Sequence, residues 1–243
     1  MTATAPFSLA LAESDPPLPE LVLVGAGGFA RETAEAVKAV NRDQPNWDLL
    51  GFLDDDPELI GSKVDGLPVL GPISELEHLP KARVVVCTGH PGNYFSRKKL
   101  VRRIDIDPAR YATVLHPDAI LPETVWIGHG SVLLAGVVAT AAVTIGAHVA
   151  VMPGTVLTHD DIVEDYATIA AGVRLAGGVR VAEGAYVGAG ALIREQRTIG
   201  AWSLVGMGSV VLGDIPRAEV WAGVPARRLR PVEVPAELGG DLS

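Results

Sequence analysis

The sequence predicts two folded parts, a small α/β domain followed by a long β-solenoid. Residues 20–112 alternate apolar, strand-like runs with segments of helical spacing, as βαβ units do. Residues 113–231 instead repeat one large aliphatic side chain every six residues. Aromatic residues make up only 5% of the 243-residue chain, which holds 27 glycines. The core must therefore be built from small and aliphatic side chains.

Composition excludes several function classes. The net charge of −9 argues against non-specific binding of nucleic acid. The single cysteine, Cys87, cannot form an internal disulfide, which suits a reducing, cytoplasmic location. No apolar run approaches the ~20 residues of a membrane-spanning helix, so no membrane partner is expected. Residues 1–19 lack the basic start of a secretory signal and, like residues 232–243, are expected to form a flexible tail.

The elements of the first part follow in order along the chain. "ELVLVGAG" is a strand that enters a glycine cluster, and "GFARETAEAVKAVN" has helical spacing. "DLLGFLDDD" and "ARVVVCTG" are two further strands, separated by the turn and short helix of "GLPVLGPISELEHL". "NYFSRKKLVRRI" closes the domain as a basic amphipathic helix. This order predicts a parallel sheet about half the length of a full doubly wound dinucleotide domain.

The glycine cluster has the spacing of a phosphate-binding loop. Gly25, Gly27 and Ala30 match G-x-G-x-x-A between a strand and a helix, where backbone N–H groups can approach a pyrophosphate. Asp54, Asp55 and Asp56 follow the second strand and could bind ribose hydroxyls or a base edge. The literal interpretation is a nicotinamide oxidoreductase. Against it, the domain lacks a second mononucleotide-binding half, and a solenoid follows it in place of a substrate domain.

The second part has an unbroken six-residue register. Sixteen of seventeen positions from Leu115 to Val211 are Val, Ile or Leu, and only Ala139 departs. A period of six fits neither a helix nor a simple strand. It predicts a triangular coil of 18 residues with three short flat faces, each sending one aliphatic side chain inward, and just over five such coils.

His159 interrupts this pattern in "VLTHDDIVEDYATIAAG". It follows the inward Leu157 by two residues, so its side chain should point outward near a corner. From spacing alone, a solvated or inter-subunit histidine is the simpler interpretation. Histidine is nevertheless the side chain best suited to proton transfer near neutral pH.

The other solenoid histidines give no metal site. His116 is expected to be structural, and His129 and His148 are expected to be exposed. Successive spacings of 13, 19 and 11 residues from His116 to His159 do not bring three ligands to one metal, as a zinc-dependent carbonic anhydrase requires. We therefore expect no metal.

The hexapeptide repeat and the segment "HDDIVEDYATIAAGVRLAGGVRVAEGAYVGAGALI" resemble the NeuD/PglD-type sugar O/N-acyltransferases over about residues 21–230. The resemblance implies a small Rossmann-like domain followed by a left-handed parallel β-helix, in a cytoplasmic homotrimer. It also implies acetyl-CoA-dependent N-acetylation of a nucleotide-linked amino sugar, in polysaccharide or glycan biosynthesis. The family's catalytic base and its acidic neighbour map onto His159 and Asp160.

The same resemblance assigns two sets of ligand-binding residues. Those for the nucleotide sugar are Gly25, Gly27, Gly28, Phe29, Asp54, Asp55, Gly89 and Arg97, the last being a candidate for either phosphate binding or helix packing. Those for acyl-CoA are Thr168, Gly177, Ala189, Met207 and Arg227. Arg227 belongs with Arg228 and Arg230 to a basic segment whose simpler interpretation is a solubilising tail.

Three positions depart from the family pattern. Phe29 stands where many members have a histidine in the glycine loop, and Thr168 where some have a second histidine near the acyl-CoA. Glu164 replaces a common glycine. A sugar O-acetyltransferase acting on a sialic-acid-like acceptor and a non-catalytic nucleotide-sugar-binding protein therefore remain open, as do the base, the sugar and the acyl chain.

Overall fold

The computed structural model describes residues 17–239. Most of the first expected tail, residues 1–16, and the last four residues, 240–243, lie outside the described part of the chain. No helix within residues 17–239 is long and apolar enough to cross a membrane.

The first part is a five-stranded sheet flanked by helices. Its elements are β1 (Glu20–Val24), α1 (Gly28–Asp43), β2 (Asp48–Leu53), β3 (Lys63–Val64), β4 (Leu67–Gly71), a 3-10 helix (Ile73–His78), β5 (Arg83–Val86), α2 (Ser96–Ile104) and a second 3-10 helix (Pro108–Arg110). The strand order is β3-β4-β2-β1-β5, with β3 and β4 antiparallel and the other pairs parallel. β1 thus lies between β2 and β5, and the strand order changes direction there.

The second part is a three-faced parallel β-helix of two-residue strands. These strands are β6 (Val114–Leu115), β7 (Trp126–Ile127), β8 (Val132–Leu133), β9 (Val138–Ala139), β10 (Thr144–Ile145), β11 (Ala150–Val151), β12 (Val156–Leu157), β13 (Ile162–Val163), β14 (Thr168–Ile169), β15 (Arg174–Leu175), β16 (Arg180–Val181), β17 (Tyr186–Val187), β18 (Leu192–Ile193), β19 (Thr198–Ile199), β20 (Leu204–Val205) and β21 (Val210–Val211). Two longer strands, β22 (Glu219–Gly223) and β23 (Ala226–Pro231), form an antiparallel hairpin at its end.

The strands stack into three sheets, each of which forms one face. The first face holds β7, β10, β13, β16 and β19, and the third face holds β9, β12, β15, β18 and β21. The face between them in chain order holds β6, β8, β11, β14, β17, β20, β22 and β23. It is named here the docked face, because the α/β domain packs on it. Residue pairs such as Val156 and Arg174 show that strands stack at intervals of 18 residues.

The predicted register fills the core. From Leu133 to Val211, all fourteen residues of the six-residue series are at most 2% exposed. The first three, Leu115, Leu121 and Ile127, are more exposed, because they lie in the first coil, at the open end of the stack.

The α/β domain covers the outer side of the docked face. Outward-pointing Val132 and Ala150 are each 1% exposed there, whereas Trp126 on the first face is 60% exposed. Val132 packs in one cluster with Leu23 and Ala30 of the α/β domain. The docked face therefore carries small and apolar residues on both sides.

The C-terminal segment differs from the expected flexible tail. Residues 232–239 end in the short helix α3 (Ala236–Gly239), and Leu238 is fully buried beside Tyr94 and Trp202. Val232 and Val234 pack on the same aromatic group, so apolar burial holds this segment in place.

The core register can be tested with two adjacent residues. Ile199 is fully buried and Thr198 is exposed. We expect Ile199→Ala to lower the free energy of unfolding by about 2–5 kcal/mol, because it leaves a cavity in a packed core. Thr198→Ala should change it by less than about 0.5 kcal/mol. Urea unfolding followed by circular dichroism measures both, and equal effects would contradict the register.

Candidate functional site

His159 and Asp160 form a hydrogen-bonded pair at a corner of the β-helix. They lie in the turn between β12 and β13, on the edge that leads from the third face to the first, named here the histidine edge. The His159 Nδ1 and Asp160 Oδ2 atoms are 2.8 Å apart, and the two side chains are 67% and 69% exposed. Asp160 adopts a left-handed backbone conformation with φ of 63°. Because this hydrogen bond uses Nδ1, the other ring nitrogen, Nε2, is the one that can exchange a proton with a substrate.

Gly177 lies one coil further on, against the imidazole ring. A Cβ atom at Gly177 would lie 2.4 Å from both Cε1 and Nε2 of His159. A larger residue would therefore displace the ring. The structure thus brings His159, Asp160 and Gly177 together.

Sequence reasoning missed Asp161, the third residue of the same turn. It is fully buried, and burial raises the pKa of its carboxyl to about 7, although two backbone N–H donors and His159 oppose this shift. The signal was present in the sequence, because Asp161 falls four residues after Leu157, on the corner position that the repeat mostly fills with small or aliphatic residues.

Ala189 and Met207 lie on a different edge. Both are in turns that lead from the docked face to the third face, named here the methionine edge, with Met207 79% exposed. Arg227 is exposed on β23, where its guanidinium donates to the Ala226 carbonyl. Within one chain, the width of the third face therefore separates Ala189 and Met207 from His159.

Residues of the glycine loop meet at the carboxyl ends of β1, β2 and β5. Gly25 has φ of 99°, and a Cβ there would lie 3.0 Å from the Cys87 carbonyl oxygen, so the turn requires glycine. Asp54 accepts a 2.8 Å hydrogen bond from the Ala26 N–H and thereby holds the loop. Gly89 follows β5 with φ of 120°.

Gly27 and Gly28 form the start of α1 and face open space. A Cβ added to either residue would meet nothing within 4 Å. Because the cap residue is Gly27, no side chain caps the first N–H groups of α1, and the first turn of the helix carries no acidic residue. The backbone N–H groups of this helix start are thus suited to an anion.

Asp55 points away from the glycine loop. Its carboxylate accepts a 3.0 Å hydrogen bond from the Ile73 N–H and pairs with the Arg103 guanidinium at 2.6 Å. The geometry therefore separates Asp55 from the neighbouring Asp54.

Arg97 lies inside the contact between the α/β domain and the β-helix. It is 1% exposed, and its Nη2 donates to the Tyr166 and Ala167 carbonyls at 3.1 and 3.2 Å. Phe29 lies under this guanidinium, 5.8 Å from ring centroid to Cζ. Burial lowers the Arg97 pKa to about 10. Of the two roles expected for Arg97, these contacts therefore agree with packing of the helix and not with an exposed phosphate ligand.

Thr168 belongs to the same contact. Its hydroxyl accepts a 2.5 Å hydrogen bond from Arg97 Nη2, and the residue is 5% exposed on the docked face. The structure does not bring Thr168 to the histidine edge or to the methionine edge.

A cavity of about 450 Å³ lies between α1 and the methionine edge. Gly28, Arg31 and Glu32 line it from the helix, and His116 and Pro153 from the β-helix. Burial raises the Glu32 pKa. This α1 cavity connects the start of α1 to the edge that carries Ala189 and Met207.

His148 is buried, contrary to the expected exposure, whereas His129 is exposed as expected. The His148 ring is 2% exposed, stacks on Tyr166 at 5.3 Å and meets the Tyr111 ring edge at 4.5 Å. Burial lowers the pKa of His148 to about 3, so it is neutral near pH 7. Within residues 17–239, no three His, Cys, Asp or Glu side chains are grouped so that they could hold a metal ion.

Comparisons with known proteins match both parts of this structure. A family model described as the PglD N-terminal domain matches residues 20–104. The acetyltransferase domain of PglB from Neisseria gonorrhoeae FA1090, in complex with acetyl coenzyme A, is 30% identical, with a TM-score of 0.78, over 88% of this chain and 100% of that one. The chain belongs to the PglD/NeuD-type sugar acetyltransferase family.

Two other solved structures of similar fold extend this comparison. A mutant of GDP-perosamine N-acetyl transferase from Caulobacter crescentus, in complex with CoA and GDP-perosamine, is 30% identical, with a TM-score of 0.76, over 86% of this chain and 96% of that one. WeeI from Acinetobacter baumannii AYE is 28% identical, with a TM-score of 0.73, over 86% of this chain and 100% of that one. A search of curated protein sequences found no match. The predicted fold class, a Rossmann-like domain followed by a left-handed parallel β-helix, is confirmed.

The contact between Thr168 and Arg97 can be tested by removing the hydroxyl. Thr168→Val deprives a buried guanidinium of an acceptor, so we expect the free energy of unfolding to fall by about 1–3 kcal/mol. Thr168→Ser keeps the hydroxyl and should have a smaller effect. Urea unfolding measures both variants. A valine variant as stable as the serine variant would show that this hydrogen bond contributes little.

Proposed function

We propose that the protein is an acetyl-CoA-dependent N-acetyltransferase that acts on a nucleotide-linked amino sugar, with His159 as the general base. Residues 20–112 would bind the nucleotide sugar and residues 113–231 would carry out the transfer. The observation that carries the proposal is the His159–Asp160 pair beside Gly177, within a fold shared with acetyltransferases solved with acetyl coenzyme A or with CoA and GDP-perosamine.

The geometry of the pair suits proton transfer. The Asp160 carboxylate accepts a hydrogen bond from the Nδ1–H of His159, and this fixes the tautomer in which Nε2 carries a lone pair. Nε2 then takes a proton from the sugar amine as its nitrogen attacks the thioester carbonyl. The C–N bond forms, the C–S bond breaks, and the imidazolium returns the proton to the thiolate.

The glycine loop is the proposed site for the nucleotide part of the sugar. The open helix start at Gly27 and Gly28 offers N–H groups to the diphosphate, as in other helix-terminus anion sites. Asp54 and Gly89 border the same strand ends, where α/β sheets bind ligands. From there the α1 cavity has space for the sugar beside the methionine edge.

The separation of the two edges favours a site shared between copies of the chain. Each face takes six residues, so at roughly 3.3 Å per residue the histidine and methionine edges lie up to about 20 Å apart. A homotrimer would set the histidine edge of one copy against the methionine edge of the next. Acyl-CoA would lie in that groove, with Gly177 at the thioester and with Ala189, Met207 and Arg227 along its length.

Thr168 lies under Arg97, so it would affect this site only indirectly, through the contact between the α/β domain and the β-helix. A cytoplasmic location is part of the same proposal.

The activity is tested by incubating the protein with acetyl-CoA and a panel of UDP-, GDP- and dTDP-linked amino sugars. Thiol release and the product masses are followed. One acetylated sugar is expected. His159→Asn should lower kcat by about 10²–10⁴-fold, because it removes the base. Acetyl-CoA affinity, measured by calorimetry, should stay within a few-fold. The exposed His129 provides the matched control, and His129→Asn should retain the activity.

Other outcomes would point to other functions. Transfer to a sugar hydroxyl would identify an O-acetyltransferase. Nucleotide-sugar binding without turnover would identify a binding protein, and NAD binding without a need for acetyl-CoA would identify an oxidoreductase. Equal activity in wild type and His159→Asn would exclude His159 as the base.

The shared site is tested by mixing two inactive variants. His159→Asn removes the base from the histidine edge, and Ala189→Trp blocks the methionine edge. Mixed trimers formed after denaturation and refolding should recover up to about one quarter of wild-type activity, since one interface in four then combines two intact edges. The same variants refolded separately are the control. No recovery, with mixed trimers verified by mass spectrometry, would show that both edges of a site come from one chain.

A further inference from the structure

Asp161 places a carboxyl group at a corner position where the repeat mostly has small or aliphatic side chains. Fully or almost fully buried uncharged residues occupy most of the equivalent corner positions: Ser131, Val137, Val143, Val149, Thr155, Ala167, Val173, Val179, Ala185, Ala191, Ser203 and Ser209. Arg197, two coils further on along the same edge, is charged but only half-buried. Asp161 is equally buried, at 0% exposure. An ionisable group is expensive at such a position unless hydrogen bonds compensate it. Its presence in the turn of His159 therefore calls for a physical reason.

The carboxylate changes the hydrogen bonds of the turn. In the coils on either side, Thr140 N–H donates to the Leu157 carbonyl and Ala176 N–H to the Ile193 carbonyl, both at 3.0 Å. The equivalent N–H of Thr158 donates instead to Asp161 Oδ2 at 2.8 Å. The Thr158 hydroxyl takes over the contact with the next coil.

Two side-chain hydrogen bonds, one from Thr158 and one to Asp161, connect the turn 158–161 to the next coil. Thr158 Oγ1 donates to the Leu175 carbonyl at 2.9 Å, and Val179 N–H donates to Asp161 Oδ1 at 2.8 Å. His159 and Asp160 lie between these two ties. The regular ladder still holds His159 and Asp160, through Gly178 N–H to the His159 carbonyl at 2.9 Å and Asp160 N–H to the Ala141 carbonyl at 3.0 Å. The Asp161 side chain replaces the ladder only at Thr158 and adds a bond to Val179.

We propose that Asp161 is a positioning residue for His159: its carboxylate holds the turn 158–161 in the conformation that places the imidazole over Gly177, and its buried charge favours the imidazolium formed during transfer. This inference rests on the proposed function of His159.

The charge of Asp161 varies in the pH range in which a histidine base works. Burial raises the pKa of this carboxyl to about 7, and His159 and Asp160 are the charged groups that act on it. On the stacked coils, the corner positions beside it hold Val143 and Val179. As the pH rises through about 7, Asp161 ionises and gains the negative charge that stabilises a nearby imidazolium. Activity should therefore require two ionisations, of His159 and of Asp161.

The test compares Asp161→Asn and Asp161→Val with wild type between about pH 5.5 and about pH 9. Asparagine keeps the shape without the charge, and valine restores the residue of the neighbouring coils. We expect kcat to fall by about 10-fold or more, with both KM values within about 3-fold. The acid limb of log kcat against pH should have a slope above one in wild type and of one in both variants.

Asp165→Asn is the matched control. Asp165 also ties two coils through a backbone N–H, that of Ala147 at 2.7 Å, but on the edge that leads from the first face to the docked face. This variant should keep the wild-type kcat and slope.

A second measurement does not depend on turnover. In protein with ¹³C-labelled histidine, the titration midpoint of the His159 ring should move to lower pH in Asp161→Asn, because a buried negative charge is lost. An unchanged midpoint and an unchanged slope would overturn the proposal, even if kcat fell, since a merely structural role would leave both in place. Absence of transfer in wild type would contradict the proposed function instead, and the ring titration would still decide the role of Asp161.

Discussion

The constraint on which the structure depends is the unbroken 18-residue coil. Each coil donates backbone N–H groups to the coil beside it. Three inward aliphatic side chains per coil, together with corner residues such as Val143 and Val179, fill the interior. Because the strands are only two residues long, one inserted or deleted residue would turn inward positions outward in every following coil. The spacing that fills the core also sets the edge on which each polar residue lies. His159 lies beside Gly177 because the two are one coil apart.

A second constraint is the docking of the α/β domain on one face. Outward-pointing Val132 and Ala150 of the docked face are buried against the α/β domain, and Arg97 donates to the backbone carbonyls of residues 166 and 167. Lys98 adds an ion pair with Glu183 and lies 5.6 Å from the Trp202 ring. This contact fixes the start of α1 beside the methionine edge. A nucleotide held at the glycine loop and a thioester held along that edge would thus be aligned by packing far from the reacting atoms.

The sequence predicts features that repeat or that are local. All fourteen positions of the six-residue register from Leu133 to Val211 are buried, and the adjacent His159 and Asp160 form the expected pair. Features that depend on distant segments were not predictable. Arg97 meets Thr168 across 71 residues of sequence, and His148 is buried because Tyr111 and Tyr166 surround it. The six-residue repeat of the sequence does not predict contacts between such distant residues.

Asp160 and Asp161 show how one turn gives two adjacent carboxyl groups different properties. Asp160 is 69% exposed, so water solvates its charge while it holds the His159 tautomer. Asp161 is enclosed, and two backbone N–H groups and the nearby His159 offset the cost of its ionisation. Burying a carboxylate costs several kcal/mol even after relaxation, whereas a valine would fit the coil without that penalty. A repeat that buries a carboxyl group in the turn of His159 gives up stability at that point, and such local departures concentrate at functional sites. The position of Asp161, rather than the histidine alone, is therefore what distinguishes this corner from the other corners of the β-helix.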